Sequence, residues 1–92
     1  TNPVESVSVV RDEVLEFAKA MESQLRVNEH KGHWCDVSFD FLVKRIYKHI
    51  DKLCDEFNKH NTDNLNKHEM TLQCSHISNY AMMIADNYGE EI

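Results

Sequence analysis

The chain has 92 residues, which suffice for a single domain spanning residues 1–92 with one hydrophobic core. Its formal net charge of −6 argues against nucleic acid as the main partner, because phosphate backbones require a basic face. No apolar run approaches the roughly 20 residues that cross a membrane, and no segment resembles a signal peptide. The composition is 41% hydrophobic and 28% charged with only two Gly and one Pro, which favours long helices joined by short turns.

The first predicted helix runs from about Val4 to Val27. Apolar residues recur along it at the period of an α-helix, and charged residues occupy its other faces. This apolar stripe consists of Val10, Val14, Phe17, Ala18, Met21 and Leu25. The segment NEHKGHWCDVS (28–38) breaks the period and predicts a structured loop, whose last residue, Ser38, can cap the next helix.

The second predicted helix follows Ser38 and extends to about His60. Its apolar stripe, which we expect to face the core, consists of Leu42, Ile46, Ile50, Leu53 and Phe57. His49 falls on the same stripe, and Lys48 and Lys52 lie four residues apart at its edge. A histidine flanked by two like charges is unusual on a face that should be buried, and it marks a candidate site.

The last predicted helix begins at Asn64 or Leu65, within the turn-forming segment NTDNLNKH (61–68), and ends at Asn87. One apolar stripe on it consists of Met70, Cys74, Ile77, Ala81, Ile84 and Tyr88, and further apolar residues at other angles are Leu72, Tyr80 and Met83. A helix that is apolar on several sides needs several partners, and a second copy of the chain is the simplest additional one. The sequence therefore predicts an all-α bundle of three main helices, completed by homo-oligomerisation as a dimer or a tetramer.

Three cysteines, Cys35, Cys54 and Cys74, are odd in number and form no C-x-x-C pair. They predict free thiols in a reducing cytoplasm rather than a disulfide framework. A zinc or nickel site at His49 and His76 is disfavoured, because a closed site needs about four ligands and Cys74 lies on a different face of the helix from His76.

Two short segments resemble the MazG-like branch of the all-α NTP pyrophosphohydrolases: HKGHW (30–34) and SNYAMMIAD (78–86). The resemblance covers roughly residues 14–87. Members of that family are helical, assemble as dimers or tetramers, and use magnesium to hydrolyse nucleoside triphosphates to monophosphate and pyrophosphate. Their metal ligands are E-E-x-x-E on one helix and E-x-x-D on a later helix.

In this chain the resemblance places no carboxylate at the family's metal positions. The first motif falls on Lys48, His49 and Lys52, and the second falls on Gln73 and His76. Magnesium requires oxygen ligands, so we expect no magnesium at the family site and no catalytic residue there. The resemblance instead implies a degenerate pocket that binds a nucleotide or another phosphate compound through cationic and amide side chains. Its candidate residues are Lys31, Trp34, Lys48, His49, Lys52, Gln73, His76 and Asn79.

Three alternatives stand beside this hypothesis. In the first alternative the pocket is closed: both histidines are hydrogen-bonded in the interior, the lysines lie in solvent and Trp34 anchors the loop. A second alternative is an active magnesium-dependent pyrophosphohydrolase whose metal is held by other acidic residues, namely Asp51, Asp55, Glu69 or Asp86. The third is a protein-interaction module with no ligand.

Overall fold

A computed structural model describes residues 9–59 and 64–92 of the chain, and the statements below concern these residues. It contains three helices: α1 (Asp12–Val27), α2 (Phe39–Lys59) and α3 (Lys67–Tyr88). A short 3₁₀ turn, Glu29–Lys31, follows α1, and no strand occurs in the described ranges. The predicted all-α class with three main helices is therefore confirmed. No helix in these ranges is long and apolar enough to span a bilayer.

The helix ends differ from the predicted ones by a few residues. The predicted start of the first helix, Val4, lies outside the described residues, but residues 9–11 are not helical and α1 begins at Asp12. Ser38 caps α2 as predicted, since its hydroxyl oxygen accepts the backbone N–H of Phe41 at 3.2 Å. The predicted end of this helix, His60, also lies outside the described residues.

The start of α3 is set by an asparagine cap. The side chain of Asn66 accepts the backbone N–H of Glu69 at 3.0 Å, so the helix begins at Lys67, two or three residues later than predicted. Most of the predicted turn 61–68 precedes this cap, and residues 61–63 of it lie outside the described part. At the other end, the backbone N–H of Gly89 donates to the carbonyl of Ala85, which closes the last turn.

The loop between α1 and α2 is tied to the C-terminal end of α3. The indole Nε1 of Trp34 donates to the carboxylate of Asp86 at 2.9 Å, and Asn87 Nδ2 donates to the carbonyl of Trp34 at 2.9 Å. The hydroxyl of Tyr88 donates to the carbonyl of Val37 at 3.2 Å. These three bonds span more than fifty residues of sequence and hold the loop over one end of the bundle.

Helix α3 is central, since α2 packs along one of its sides and α1 packs on another. Leu42 is the one fully buried apolar side chain of the described residues, whereas the buried polar set consists of His49, Gln73, Ser75 and Asn79. Ile46 and Leu53 are half-buried, but Ile50 and Phe57 are exposed, so the prediction that they face the core is wrong for a single protomer. The apolar arc of α2 is wider than the strip that α3 covers.

The three thiols predicted to be free are unpaired. Cys35 and Cys54 are exposed, and Cys74 is half-buried on α3. Cys35 lies in the loop, Cys54 on α2 and Cys74 on α3.

Candidate functional site

A cleft of about 810 Å³ opens between α1 and α2, with α3 as its floor. Its volume falls in the range of small-molecule sites, roughly 300–1,000 Å³. The loop after α1 closes one end of it. Side chains from each wall that contribute to its chemistry are Arg26 on α1, Lys31 and Trp34 in the loop, Phe41 and Arg45 on α2, and His76, Asn79 and Tyr80 on α3.

Arg45 is the cation best placed to receive an anion in this cleft. Its guanidinium carbon lies 5.8 Å from the centre of the Phe41 ring and 5.9 Å from that of the Tyr80 ring, which are cation–π distances. Its Nε atom is buried and has no hydrogen-bond partner. Among the described residues no carboxylate oxygen lies within 4 Å of this guanidinium, so its charge is not neutralised by an ion pair. An anionic ligand would supply the missing acceptor.

The charge of the cleft is slightly positive. Three cations line it, Arg26, Lys31 and Arg45, against two carboxylates, Glu22 and Glu29. Arg26 Nε lies 4.0 Å from Glu22, which leaves Lys31 and Arg45 as the less compensated charges. This local balance contrasts with the net charge of −6 for the whole chain, and it favours an anion of low charge over a triphosphate without its metal.

Asn79 presents a second buried polar atom without a partner. Its Nδ2 donates to the carbonyl of Met21 on α1 at 3.0 Å, and this bond fixes the orientation of the amide. Its Oδ1 is buried and accepts no hydrogen bond. Since a buried acceptor without a donor is costly, this atom suits a ligand that carries an N–H or O–H group.

Behind the cleft, a buried hydrogen-bonded chain joins α3 to α2. Gln73 Nε2 donates to the carboxylate of Glu69 at 2.8 Å, and Gln73 Oε1 lies 2.7 Å from His49 Nδ1. A carboxylate accepts only, so the amide nitrogen of Gln73 must face Glu69 and its oxygen must face His49. His49 therefore carries its proton on Nδ1 and leaves Nε2 as the unprotonated nitrogen of the neutral ring.

His49 and His76 stack across the α2–α3 contact. Their ring centres lie 4.6 Å apart at 30°, and Tyr80 continues the stack at 5.7 Å from His49. Burial lowers the pKa of both imidazoles below the ordinary value of 6.5. The positive charge of Lys52 lowers both pKa values further, and the Gln73 bond opposes the shift at His49. Both rings are accordingly neutral near pH 7.

The structure brings some of the predicted site residues together and separates others. Lys31, Trp34, His76 and Asn79 line the cleft, while His49 and Gln73 contact each other behind it. Lys48 and Lys52 are exposed on α2 and do not line the cleft. They act on the histidines only through their charge, Lys52 on both rings and Lys48 on His49.

Trp34 serves both as an anchor and as a wall. It is half-buried, its N–H is bonded to Asp86, and His33 stacks on its ring at 4.3 Å. It also lines the cleft. The two roles weighed for this residue are therefore compatible, because the hydrogen bond holds the ring in a fixed position beside the cleft.

The magnesium ion that the family resemblance implies does not fit the residues at the family's metal positions. Gln73 Oε1 is the one side-chain oxygen among those five residues, and it already accepts the proton of His49. Among the described residues no three His, Cys, Asp or Glu side chains lie close enough together to hold a metal ion. Of the alternative acids, Glu69 accepts from Gln73 and Asp86 accepts from Trp34, whereas Asp51 and Asp55 are exposed on α2.

Four of the cleft residues named above were missed in the sequence, Arg26, Phe41, Arg45 and Tyr80, and the last two are in cation–π contact. Arg45 lies one residue before Ile46 of the apolar stripe, so its position in the sequence suggested the edge of a helix face. Tyr80 lies within SNYAMMIAD and was assigned to apolar surface only. The periodicity could have placed both near the buried faces, but only the pairing of α2 with α3 brings the guanidinium onto the ring.

Comparison of the chain with protein-family models, with curated proteins and with solved structures gives no match. The resemblance to the MazG-like proteins therefore rests on the segments HKGHW and SNYAMMIAD and stays a prediction.

Proposed function

We propose that this chain is a catalytically degenerate MazG-like protein, which binds a nucleotide or another phosphate compound in its cleft without magnesium. The observation that carries the proposal is the unneutralised guanidinium of Arg45 on the wall of a cleft that also contains aromatic rings. Arginine binds phosphate groups well, and aromatic rings bind planar bases by stacking. Trp34 and Tyr80 provide rings on two different walls of the cleft.

The neighbouring histidines support a binding role rather than a catalytic one. His76 lines the cleft as a neutral half-buried ring, and His49 behind it donates to Gln73. Among the described residues, the carboxylate of Glu69 reaches His49 only through the amide of Gln73, so His49 is not paired with an oriented carboxylate in the manner of a general base. The contact of His49, Gln73 and His76 also agrees with the positions at which the two family motifs would meet.

The proposal includes self-association. Large apolar side chains are exposed along α1 and α2 of the single protomer, among them Val14, Leu15, Phe41, Tyr47 and Phe57. So many large exposed apolar side chains on two helices of a small domain favour an interface that covers part of them. A second copy of the same chain would bury this apolar surface without requiring a different partner protein.

The test is thermal unfolding with nucleoside mono- and triphosphates and inorganic phosphate, each with and without magnesium. We expect a metal-independent rise in the midpoint, since a ligand at a hundredfold excess over its Kd adds roughly 2.7 kcal/mol of stability. Arg45→Gln should remove most of the ligand-induced rise. Lys59→Gln, which removes an exposed cation outside both the cleft and the α2 seam, should retain it.

Three results would contradict the proposal. A rise that appears only with magnesium, together with release of pyrophosphate, would indicate an active pyrophosphohydrolase that finds its metal ligands elsewhere. No rise with any compound would indicate a protein-interaction module, and an equal loss in both variants would mean that general charge rather than Arg45 binds the ligand.

A further inference from the structure

An exposed apolar seam runs along α2, next to the face that packs on α3. It consists of Val43, Tyr47, Ile50, Cys54 and Phe57, whose spacing of four, three, four and three residues is that of a coiled-coil seam. Tyr47 is 65% exposed, Phe57 is 47% exposed and Ile50 is 37% exposed. The seam is about 21 Å long, at 1.5 Å per residue. Val43 is half-buried, and the other four residues of the stripe are exposed in the protomer.

A row of charged residues follows the seam one position further along the chain. It reads Lys44, Lys48, Asp51 and Asp55, and all four are exposed. Within the protomer, none of them forms an ion pair with another described residue. Like charges four residues apart repel on a helix, so the pairs Lys44/Lys48 and Asp51/Asp55 destabilise an isolated α2.

In an antiparallel pair of α2 helices, the charges of this row are complementary to those of the same row on the second copy. In an antiparallel pair centred near Ile50, Lys44 faces Asp55 of the second copy and Lys48 faces Asp51 of the second copy. The same two-fold arrangement repeats both contacts, giving four opposite-charge pairs. In a parallel pair this flank would instead face the opposite flank of the second copy, so the row would not meet its own copy and the four opposite-charge pairs would be lost. The antiparallel arrangement also aligns the helix dipoles favourably.

The same register matches the side chains of the seam by size. Around Ile50, which meets its own copy, Val43 is opposite Phe57 and Tyr47 is opposite Cys54. A hollow of about 260 Å³ lies on α2 at this end of the seam. Its lining residues are Leu53, Cys54, Phe57, Asn58 and, from α3, Met70. Together with Ile50, the lining residues Leu53, Cys54 and Phe57 have the spacing i, i+3, i+4 and i+7 of a hole that receives a knob in coiled-coil packing.

We propose that two copies of this chain pair through the α2 seam in antiparallel orientation, with Tyr47 of each copy seated in the α2–α3 hollow of the other. This inference specifies the interface of the self-association proposed above and does not depend on the ligand. The pairing leaves the cleft open, because no seam residue lines the cleft. It also gives Lys48 a place in the interface.

The first experiment is charge reversal followed by sedimentation equilibrium at low and high salt. The variant Lys44→Glu/Lys48→Glu should raise the dimer Kd about a hundredfold, since four contacts change sign and each contributes roughly a factor of three. Asp51→Lys/Asp55→Lys should weaken self-association similarly. A mixture of the two variants restores all four opposite-charge pairs and should form a heterodimer. Lys59→Glu/Lys67→Glu, with the same change in net charge at exposed positions off the seam, should stay dimeric.

The second experiment determines orientation by disulfide trapping in a Cys35→Ser/Cys74→Ala background. Antiparallel pairing places the two native Cys54 residues about 12 Å apart along the axis, too far for a disulfide. Cys54 alone should therefore not cross-link, whereas adding Tyr47→Cys should give a covalent dimer on oxidation. Cross-linking through Cys54 alone would overturn the antiparallel orientation.

The remaining outcomes separate the failures. A wild-type chain that is monomeric at all concentrations would refute self-association as well as this interface, without affecting the ligand proposal. A dimer that survives Lys44→Glu/Lys48→Glu as well as it survives the control would refute the α2 seam alone. Circular dichroism of each variant checks that the helices are retained.

Discussion

Replacing Gln73 with leucine tests the buried chain from Glu69 to His49. The substitution removes the acceptor of the His49 Nδ1 proton, which lies 2.7 Å away in a buried site. A buried donor left without an acceptor costs about 1–3 kcal/mol. Leucine adds apolar contact in return, so we expect Gln73→Leu to lower the free energy of unfolding by about 1–2 kcal/mol. For a domain of this size that corresponds to a fall in the thermal midpoint of about 5–15 °C.

The matched control removes both partners. In His49→Phe/Gln73→Leu no buried donor remains, and the phenyl ring can keep the stack between His76 and Tyr80. We therefore expect this double variant to regain most of the lost stability. Urea unfolding followed by circular dichroism measures both variants, near pH 8 so that the histidines are neutral, and at one protomer concentration so that self-association does not vary.

Two results would refute this account of the site. Wild-type stability in Gln73→Leu would mean that the His49 bond contributes nothing or that water replaces the amide oxygen. A double variant less stable than Gln73→Leu would mean that His49 stabilises the α2–α3 contact by a route other than its bond to Gln73.

Three further predictions concern pH, the loop and its anchor. The pKa values of His49 and His76 are lowered in the native state, so the unfolded chain binds more protons than the native chain below pH 6.5. The urea midpoint should therefore be constant above pH 6.5 and fall as the pH drops below it. The fall should be less steep in His49→Phe/Gln73→Leu, which lacks one of the two histidines. Gly32→Ala should lower the free energy of unfolding by about 1–3 kcal/mol in the same assay, because Gly32 has φ 89° and ψ −179°, a backbone conformation nearly restricted to glycine; an unchanged midpoint would contradict this role of its backbone. Trp34→Phe should lower the free energy of unfolding by about 1 kcal/mol, because it removes the hydrogen bond to Asp86. Asp86→Asn keeps an acceptor for the indole N–H and should lower the free energy of unfolding by less. Equal losses in the two variants would show that the charge of Asp86 matters more than the hydrogen bond.

The periodicity of apolar residues was sufficient to predict the helices because helix formation depends on nearby residues. Three helices appear where three were expected, and the Ser38 cap is present. The helix starts were less predictable, since Asn66 competed with earlier polar residues as a cap. The assignment of buried faces was partly wrong: Ile50 and Phe57 share a stripe with Leu42, yet they are exposed in the protomer. Periodicity shows which faces need a partner but does not show which partner covers them.

The site shows the same division between local and long-range information. His49 and His76 could be marked as unusual in the sequence, because each interrupts a pattern of apolar residues or of expected carboxylates. Their contact with Gln73, the proton position on His49 and the place of Arg45 between two rings could not be predicted, since each depends on how α2 rotates against α3.

By itself, the sequence determined the all-α class, the three helices and the unpaired thiols, since these follow from residue types and their local spacing. Tertiary structure alone decided that α1 and α2 leave a cleft above α3 and that Arg45, rather than Lys48 or Lys52, is the cation that α2 contributes to its wall. The physical reason is that a helix offers many faces at similar local free energy. Which face is buried, exposed or directed into a cleft is selected by contacts between residues far apart in the chain.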